Sequence, residues 1–432
     1  MKYQNRILGM LSLLAIITYL DRVCISVAGP RMQDELHISP EAWGWVTGIF
    51  ALSYGLFEIP SGALGDRIGP RKVLTRIVIW WSAFTALTGT VSNYFLLLVT
   101  RFFFGMGEAG AYPNAATVIA RWFPAKRRAR AWGIVWMTSQ LGGAISPLLV
   151  VPIQAHYGWR ASFYVFSVLG LIWAFVWYAK FRDLPAEMPG IGEAERTELA
   201  TAGPRPGHAM PWMLALRSGN LWLLMGICAC YVYAIYFYSS WFHTYLVKGR
   251  GYHESDLWLS ALPYLVGAGA NCLGGFASDW LVGRLGLKTG RRLVGLVGLG
   301  SAALFMVATI LTTSGAWALA FLSLAYGGMT LQQPNMSAVA LDIGSSYAGA
   351  VLGFANTAAQ AGAFASSVMF GYLVQRYGSY NAPLIPMVVM LFTGVLLWSR
   401  VDATRGMFPP AEVPVESTGP GTYTTRAHST LR

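Results

Sequence analysis

The chain has 432 residues, of which 55% are hydrophobic and only 12% charged, with a mean hydropathy of +0.48, whereas soluble domains carry about 25% charged residues. A soluble fold would have nowhere to put that much apolar surface, so soluble enzymes and soluble binding modules are excluded. The net charge of +12 falls mostly in short loops between apolar stretches, which points to orientation in a lipid bilayer and not to nucleic acid.

Apolar windows long enough to cross a bilayer predict twelve spans: 7–29, 43–65, 73–92, 94–121, 130–154, 160–181, 220–247, 256–282, 292–313, 316–342, 348–376 and 380–401. The first follows only Lys2 and Arg6, outruns a signal-peptide core and lacks a clear small-residue cleavage site, so it reads as a retained signal anchor. Arg67, Arg71, Lys72 and Arg76 follow span two. Arg121, Lys126, Arg127, Arg128 and Arg130 follow span four, and Arg284, Lys288, Arg291 and Arg292 follow span eight. The opposite loops offer only Arg31, Arg160, Lys248, Arg250 and Arg376. This asymmetry places both termini and the central loop in the cytoplasm of a multi-pass inner-membrane protein. Cys24, Cys228, Cys230 and Cys272 lie inside apolar stretches and read as neither a disulfide nor a metal site.

Four regions follow: an N-terminal six-helix half at 1–181, a cytoplasmic linker at 182–219 rich in Pro, Gly and Glu, a C-terminal six-helix half at 220–401, and a disordered cytoplasmic tail at 402–432. A short surface helix is expected in the linker around Glu193 to Leu199. The halves repeat each other. "GALGDRIGPRK" from Gly62 to Lys72 recurs as "GGFASDWLVGRLG" from Gly274 to Gly286, with Gly62 and Gly275, and Asp66 and Asp279, both 213 apart. The glycine allows close helix approach, and the aspartate at a helix end among basic residues can latch one conformation and release in another. Gly62, Asp66, Arg67 and Arg71, with Asp279 and Arg284 as the weaker copy, are therefore expected to gate the cytoplasmic side.

Charges also sit inside the spans: Asp21, Arg22, Glu58, Arg101 and Glu108. Each costs about 2.5–3.5 kcal/mol at mid-membrane, so they must pair, face water or do chemistry. Asp21 and Arg22 lie about 21 Å along span one, and Arg101 reaches a similar depth on an oppositely directed helix. Arg101 can offset Asp21 or bind an anion beside Arg22, with Glu108 two turns further along roughly the same face. A guanidinium suits bidentate capture of a carboxylate, and a desolvated carboxylate can load and release a proton near neutral pH. Together they describe an anion site with a built-in proton switch.

The chain resembles the major facilitator superfamily, whose loop pattern Gly-x-x-x-Asp-Arg-x-Gly-x-Arg-Lys is matched from Gly62 to Lys72. Within it the chain is similar to the anion:cation symporter family, through "YLDRVCISVA" (Tyr19 to Ala28), "RFFFGMGEAGAYP" (Arg101 to Pro113) and "WFHTYLVKGRG" (Trp241 to Gly251). That resemblance implies an all-α membrane protein with twelve transmembrane helices in two pseudo-symmetric halves. It implies proton-coupled symport of an organic anion, such as a hexuronate or aldonate, by a monomer that needs no cofactor or metal. Asp21 and Glu108 would carry protons, Arg22 would hold the substrate carboxylate, and Arg101 would take part in coupling. Tyr54, Gln140 and Asn356 match positions that contact the polar substrate, and Gln140 and Asn356 are expected to face one another across the cavity.

Glu58 departs from the sugar-acid pattern, where an amide is common. It can serve a second proton, a cationic substrate group or a gate contact. Its repeat counterpart is Asn271, and Tyr19, Tyr236, Asn271 and Asn335 complete a possible extended pocket, since hydroxyl-rich substrates need such donors and acceptors. His243 near the outer end of span seven is a candidate gate residue. A uniporter or antiporter of another carboxylate or aromatic acid is the alternative, although "SQLGGAISPLL" (Ser139 to Leu149) lacks the antiporter arrangement of glycine and proline. A membrane enzyme is disfavoured because no polar segment carries a nucleophile elbow, nucleotide loop or metal cluster, and a sensor lacks a soluble signalling domain.

Overall fold

The computed structural model describes residues 3–192, 212–344 and 348–407; the expected linker helix at Glu193 to Leu199 lies outside them. The described chain is helical, without strands. The first half comprises α1 (Tyr3–Glu35), α2 (Pro40–Ile68), α3 (Pro70–Thr88), α4 (Tyr94–Glu108), α5 (Ala111–Trp122), α6 (Ala125–Tyr157) and α7 (Trp159–Lys180). The second comprises α8 (Gly219–Ser240), α9 (Ala261–Leu285), α10 (Leu287–Leu311), α11 (Gly315–Leu331), α12 (Gln333–Gly344), α13 (Ala348–Tyr377) and α14 (Leu384–Trp398). Six of these stretches, those of α1, α6, α7, α8, α9 and α10, are individually long and apolar enough to cross a membrane. Spans four and ten are each broken in two, so fourteen helices make twelve spans.

Local chemistry sets many of the boundaries. Ser39 Oγ accepts the Ala42 N–H at 3.2 Å and Pro40 opens α2, the expected start signal. Asn93 Oδ1 does the same for Leu96 at the start of α4, at 2.9 Å. A single glycine at positive φ separates α2 from α3 (Gly69, φ 89°), and the repeat uses the same device between α9 and α10 (Gly286, φ 80°). Only a residue without Cβ turns the chain that tightly at little cost.

The two halves meet through α2 against α13 and α6 against α9. Small residues let the backbones close up: a Cβ on Gly44 would stand 2.7 Å from Ser367 O, and one on Gly371 would stand 2.4 Å from Pro40 O. This contact lies on the face of the bundle away from the termini. Hydrogen bonds and ion pairs between the halves lie there too. Gln33 Nε2 donates to Thr244 Oγ1 at 3.0 Å, Lys248 Nζ to Asp34 at 2.6 Å, and Arg31 pairs with Glu254. The face away from the termini is therefore closed.

Around the repeated motif, each half seats a buried asparagine from its broken span. Asn114 packs against Gly65, where a Cβ would stand 1.8 Å from its Oδ1, and its amide donates to Gly110 O at 2.7 Å. Asn335 accepts from Ser278 Oγ at 2.8 Å and donates to Arg291 O at 2.8 Å. At the C-terminal end, chain expected to belong to the tail packs onto the bundle. Asp402 exchanges backbone bonds with the Asn220 amide at 2.8 and 3.1 Å and pairs with Lys288 at 2.8 Å, and Met407 donates to Ile343 O at 2.8 Å.

The motif glycines are not equivalent. A Cβ on Gly274 would lie 1.8 Å from Leu331 O, whereas one on Gly275 would meet nothing within 4 Å. Gly274→Ala is expected to destabilise the purified protein by about 1–3 kcal/mol, the usual cost of overpacking, while Gly275→Ala leaves thermal unfolding unchanged. Equal melting temperatures for the two variants would contradict this packing.

Candidate functional site

The interior of the first half collects the charges that the sequence buries. α1 brings Asp21 and Arg22, α2 brings Tyr54 and Glu58, and α4 brings Arg101 and Glu108. Arg22 Nε donates to Glu108 Oε1, and the Glu108 side chain is 1% exposed against 19% for Arg22, so this ion pair is held out of bulk solvent. The Arg22 guanidinium also stands 4.9 Å from the Tyr54 ring centroid, 5.4 Å from Phe50 and 5.9 Å from Tyr19, within cation–π range.

Arg101 also stands near Phe50, 5.0 Å from that ring and 4.5 Å from Phe104. One phenyl ring thus serves two guanidinium groups. Arg101 and Asp21 are both 3% exposed. No hydrogen bond joins them, so any offset between their charges acts through space. Both Asp21 oxygens, Arg101 Nε, Arg22 Nη2 and Glu108 Oε2 lack hydrogen-bond partners among the described residues. Buried polar atoms are ordinarily satisfied, so this many open donors and acceptors in one cluster sets these residues apart from the rest of the interior.

The amides expected to line the cavity each reach across the halves. Tyr326 of α11 donates to Gln140 Oε1 of α6 at 2.9 Å. Asn356 of α13 donates to Glu58 Oε2 of α2. They do not face one another directly; each has its own partner in the opposite half. Glu58 is thus a contact between halves in this conformation, which is one of its three readings. Tyr236 from α8 donates to Thr47 O at 3.4 Å, on the same helix as Phe50 and Tyr54. Asn271 instead bonds Gln333 at 3.0 Å, and Asn335 is fully buried against Ser278 and Arg291. The structure therefore does not bring Asn335 into the charge cluster.

Among the gating residues, Arg71 donates to Tyr178 O through Nε and Nη2 at 3.0 and 2.7 Å, and its backbone N–H meets Asp183 at 2.8 Å. Gly62 packs on Pro113, 3.0 Å from a would-be Cβ. Arg67 is exposed, Arg284 lies over Trp280 at 4.4 Å, and the Asp66 side chain lies outside the described residues. Asp279 is 87% exposed, 3.9 Å from Arg291. The stronger partner of Arg291 is Asp342 at 3.0 Å, a half-buried anchor that sequence reading missed because Arg291 reads as one more loop cation. All these bonds stay within one half.

His243 joins the halves on the closed face. Its Nδ1 lies 2.9 Å from Ser26 Oγ and its Nε2 2.7 Å from Ser260 Oγ. The Ser260 hydroxyl donates to Leu257 O at 2.6 Å, so Nε2 donates to Ser260. Phe50 was the other omission, because an isolated phenylalanine carries no sequence signal for a cation partner.

Two six-span halves, one of them holding an interior charge cluster, define a transporter of the membrane. The chain belongs to the Major Facilitator Superfamily, whose family model matches residues 11–367. It is 34% identical over 404 residues to the probable sulfoacetate transporter SauU of Cupriavidus necator, covering 91% of this chain and 93% of that protein. It is 29% identical over 382 residues to the hexuronate transporter of Bacillus subtilis, covering 87% and 89%. Among solved structures, a bacterial homologue of the human lysosomal transporter Spinster, in an inward-facing and occupied conformation, aligns with a TM-score of 0.75 at 22% identity, covering 95% and 99%. That likeness bears on the fold. The chain is thus an integral multi-pass transporter and not an enzyme.

The Arg22–Glu108 pair makes a prediction independent of substrate. Arg22→Ala strands Glu108 as a lone buried charge and is expected to cost about 3 kcal/mol of stability. Arg22→Ala combined with Glu108→Gln removes the stranded charge and recovers most of the loss. A double variant that melts no higher than the single one would show that the two side chains are not energetically paired.

Proposed function

We propose that this protein is a proton-coupled symporter of a small organic anion, with a sugar acid as the favoured substrate class, working by alternating access. The observation that carries the reading is the buried cluster of Asp21, Arg22, Arg101 and Glu108, with one ion pair made and the remaining acid and guanidinium groups open. The names of the relatives support it, since sulfoacetate and hexuronates are both organic anions.

In this reading Arg22 captures the substrate carboxylate, which must compete with Glu108 for the guanidinium fork. A proton on Glu108 ends that competition, so proton loading and anion binding favour one another. Asp21, buried beside Arg101 without a hydrogen bond, is the second proton carrier, because an unpaired ionised carboxylate at that depth is costly. Arg101 couples the two acids by standing near both. Tyr54, Gln140 and Asn356, with Tyr19 and Tyr236, contact the polar body of the substrate, and Asn356 exchanges Glu58 for substrate hydroxyls as the cavity fills. A monomer suffices, because the site is built within one chain.

The excess of basic residues on the face bearing the termini supports an orientation with both termini in the cytoplasm. The two six-helix halves, 1–181 and 220–401, then rock about the site. The conformation seen here is closed toward the outside. In the opposite state the motif residues Gly62, Asp66, Arg67 and Arg71, with Asp279 and Arg284, hold the cytoplasmic side shut, which accords with the bonds described for Arg71 and Asp279 staying within one half here.

Reconstituted protein is expected to accumulate a labelled sugar acid or small sulfonate in proteoliposomes only under an inward proton gradient. Accumulation indifferent to uncoupler would remove the symport claim. Glu108→Gln is expected to abolish accumulation while preserving exchange of labelled for unlabelled anion, because exchange needs no net proton release. Parallel loss of both activities in a folded variant would assign Glu108 a structural role.

A further inference from the structure

On the outer surface of the first half, away from the charge cluster, α3 and α7 border a groove of about 610 Å³. One end is basic: Lys72 and Arg76 are both exposed and lie within the first two turns of α3. The rest is apolar. Ile79, Ala83 and Leu87 continue the same stripe along α3, with Trp80 and Tyr178 as aromatic walls. The positions recur at helical spacing, so one face of the helix turns from cationic to apolar along its length.

The length of that stripe fits the bilayer. From Arg76 to Leu87 the helix rises about 16 Å, close to half of a hydrocarbon core about 30 Å thick. The basic pair thus stands at headgroup level when the apolar stripe spans one leaflet. No acidic residue lines the groove. Asp183, near the start of α3, is committed to the Arg71 N–H at 2.8 Å, and neither Lys72 nor Arg76 has an ion-pair partner among the described residues. The Trp80 wall is fixed: its indole N–H donates to Phe103 O at 2.9 Å, and Phe84 stacks on Phe103 with centroids 5.4 Å apart.

We propose that this groove is a binding site for one anionic phospholipid of the leaflet on the side bearing the termini, with its phosphate between Lys72 and Arg76 and an acyl chain along Ile79, Ala83 and Leu87. Charge complementarity selects the occupant. A zwitterionic lipid matches the apolar stripe equally well but gains less from two unpaired cations. A free anion gains the cations but leaves the stripe to bulk lipid.

The test is titration of delipidated, detergent-solubilised protein with phosphatidylglycerol, phosphatidylcholine or inorganic phosphate, read by native mass spectrometry and thermal unfolding. Phosphatidylglycerol is expected to bind with one tight site and to raise the melting temperature more than phosphatidylcholine does. In the double variant K72Q/R76Q its affinity falls about 25-fold, the product of about fivefold for each basic side chain near a membrane surface. Ala83→Trp, which fills the groove and keeps both cations, loses the tight site as well. Neutralising Arg284 and Lys288, basic residues on the same face of the other half, leaves it intact. Equal binding of phosphatidylglycerol and phosphatidylcholine, retention of the preference in K72Q/R76Q, or full competition by inorganic phosphate would each overturn the proposal.

Discussion

A hydrogen-bonded ion pair in an apolar interior is the constraint on which this architecture turns. Arg22 and Glu108 come from α1 and α4, and neither is tolerable there alone, because removing one partner leaves an uncompensated charge in a medium that solvates it poorly. The pair therefore fixes the relative depth of two helices and the rotation of each about its axis. Phe50 and Tyr54 are placed by the same requirement, since α2 supplies the ring faces over which the guanidinium lies. The remaining open groups, on Asp21 and Arg101, inherit their position from this frame.

Closure of the bundle is distributed differently. On the face away from the termini, polar bonds between halves accompany close backbone packing of α2 on α13, so that side is shut by both hydrogen bonding and shape. On the opposite face the motif side chains described bond within their own half, as Arg71 does with Tyr178 and Arg291 with Asp342. A transporter needs this inequality between its two ends, because two equally tight closures would trap the cavity and two loose ones would leak.

Much of this was legible in the chain. Twelve apolar spans, the 213-residue offset and the intramembrane charges each report a one-dimensional property: length, repetition, or the cost of burying a charge. They yielded the fold and the central cluster, whose members Asp21, Arg22, Arg101 and Glu108 the structure brings together. What escaped were features that depend on which helix faces which. The partner of Arg291 proved to be Asp342 more than Asp279, Asn335 went to the packing of α9, α10 and α12, and Gln140 found Tyr326. Phe50 gave no signal at all, since its role exists only once two arginines from different helices stand near it. The breaks in spans four and ten were hidden because the wider windows around them stay apolar enough to read as one span each, although Glu108 and Gly110 mark the first break and Gln332, Gln333 and Pro334 the second.

Those breaks bear on how the molecule moves. Glu108 is the last residue of α4, immediately before the interruption that Asn114 steadies by donating its side-chain amide to the Gly110 carbonyl, which also accepts the Asn114 backbone N–H. A rigid rod tilting through the membrane would carry such an acid along an arc. Standing at the elbow, it would stay near the pivot if the two segments turned against each other, so its ion pair with Arg22 would keep its place while the far end of α5 travelled.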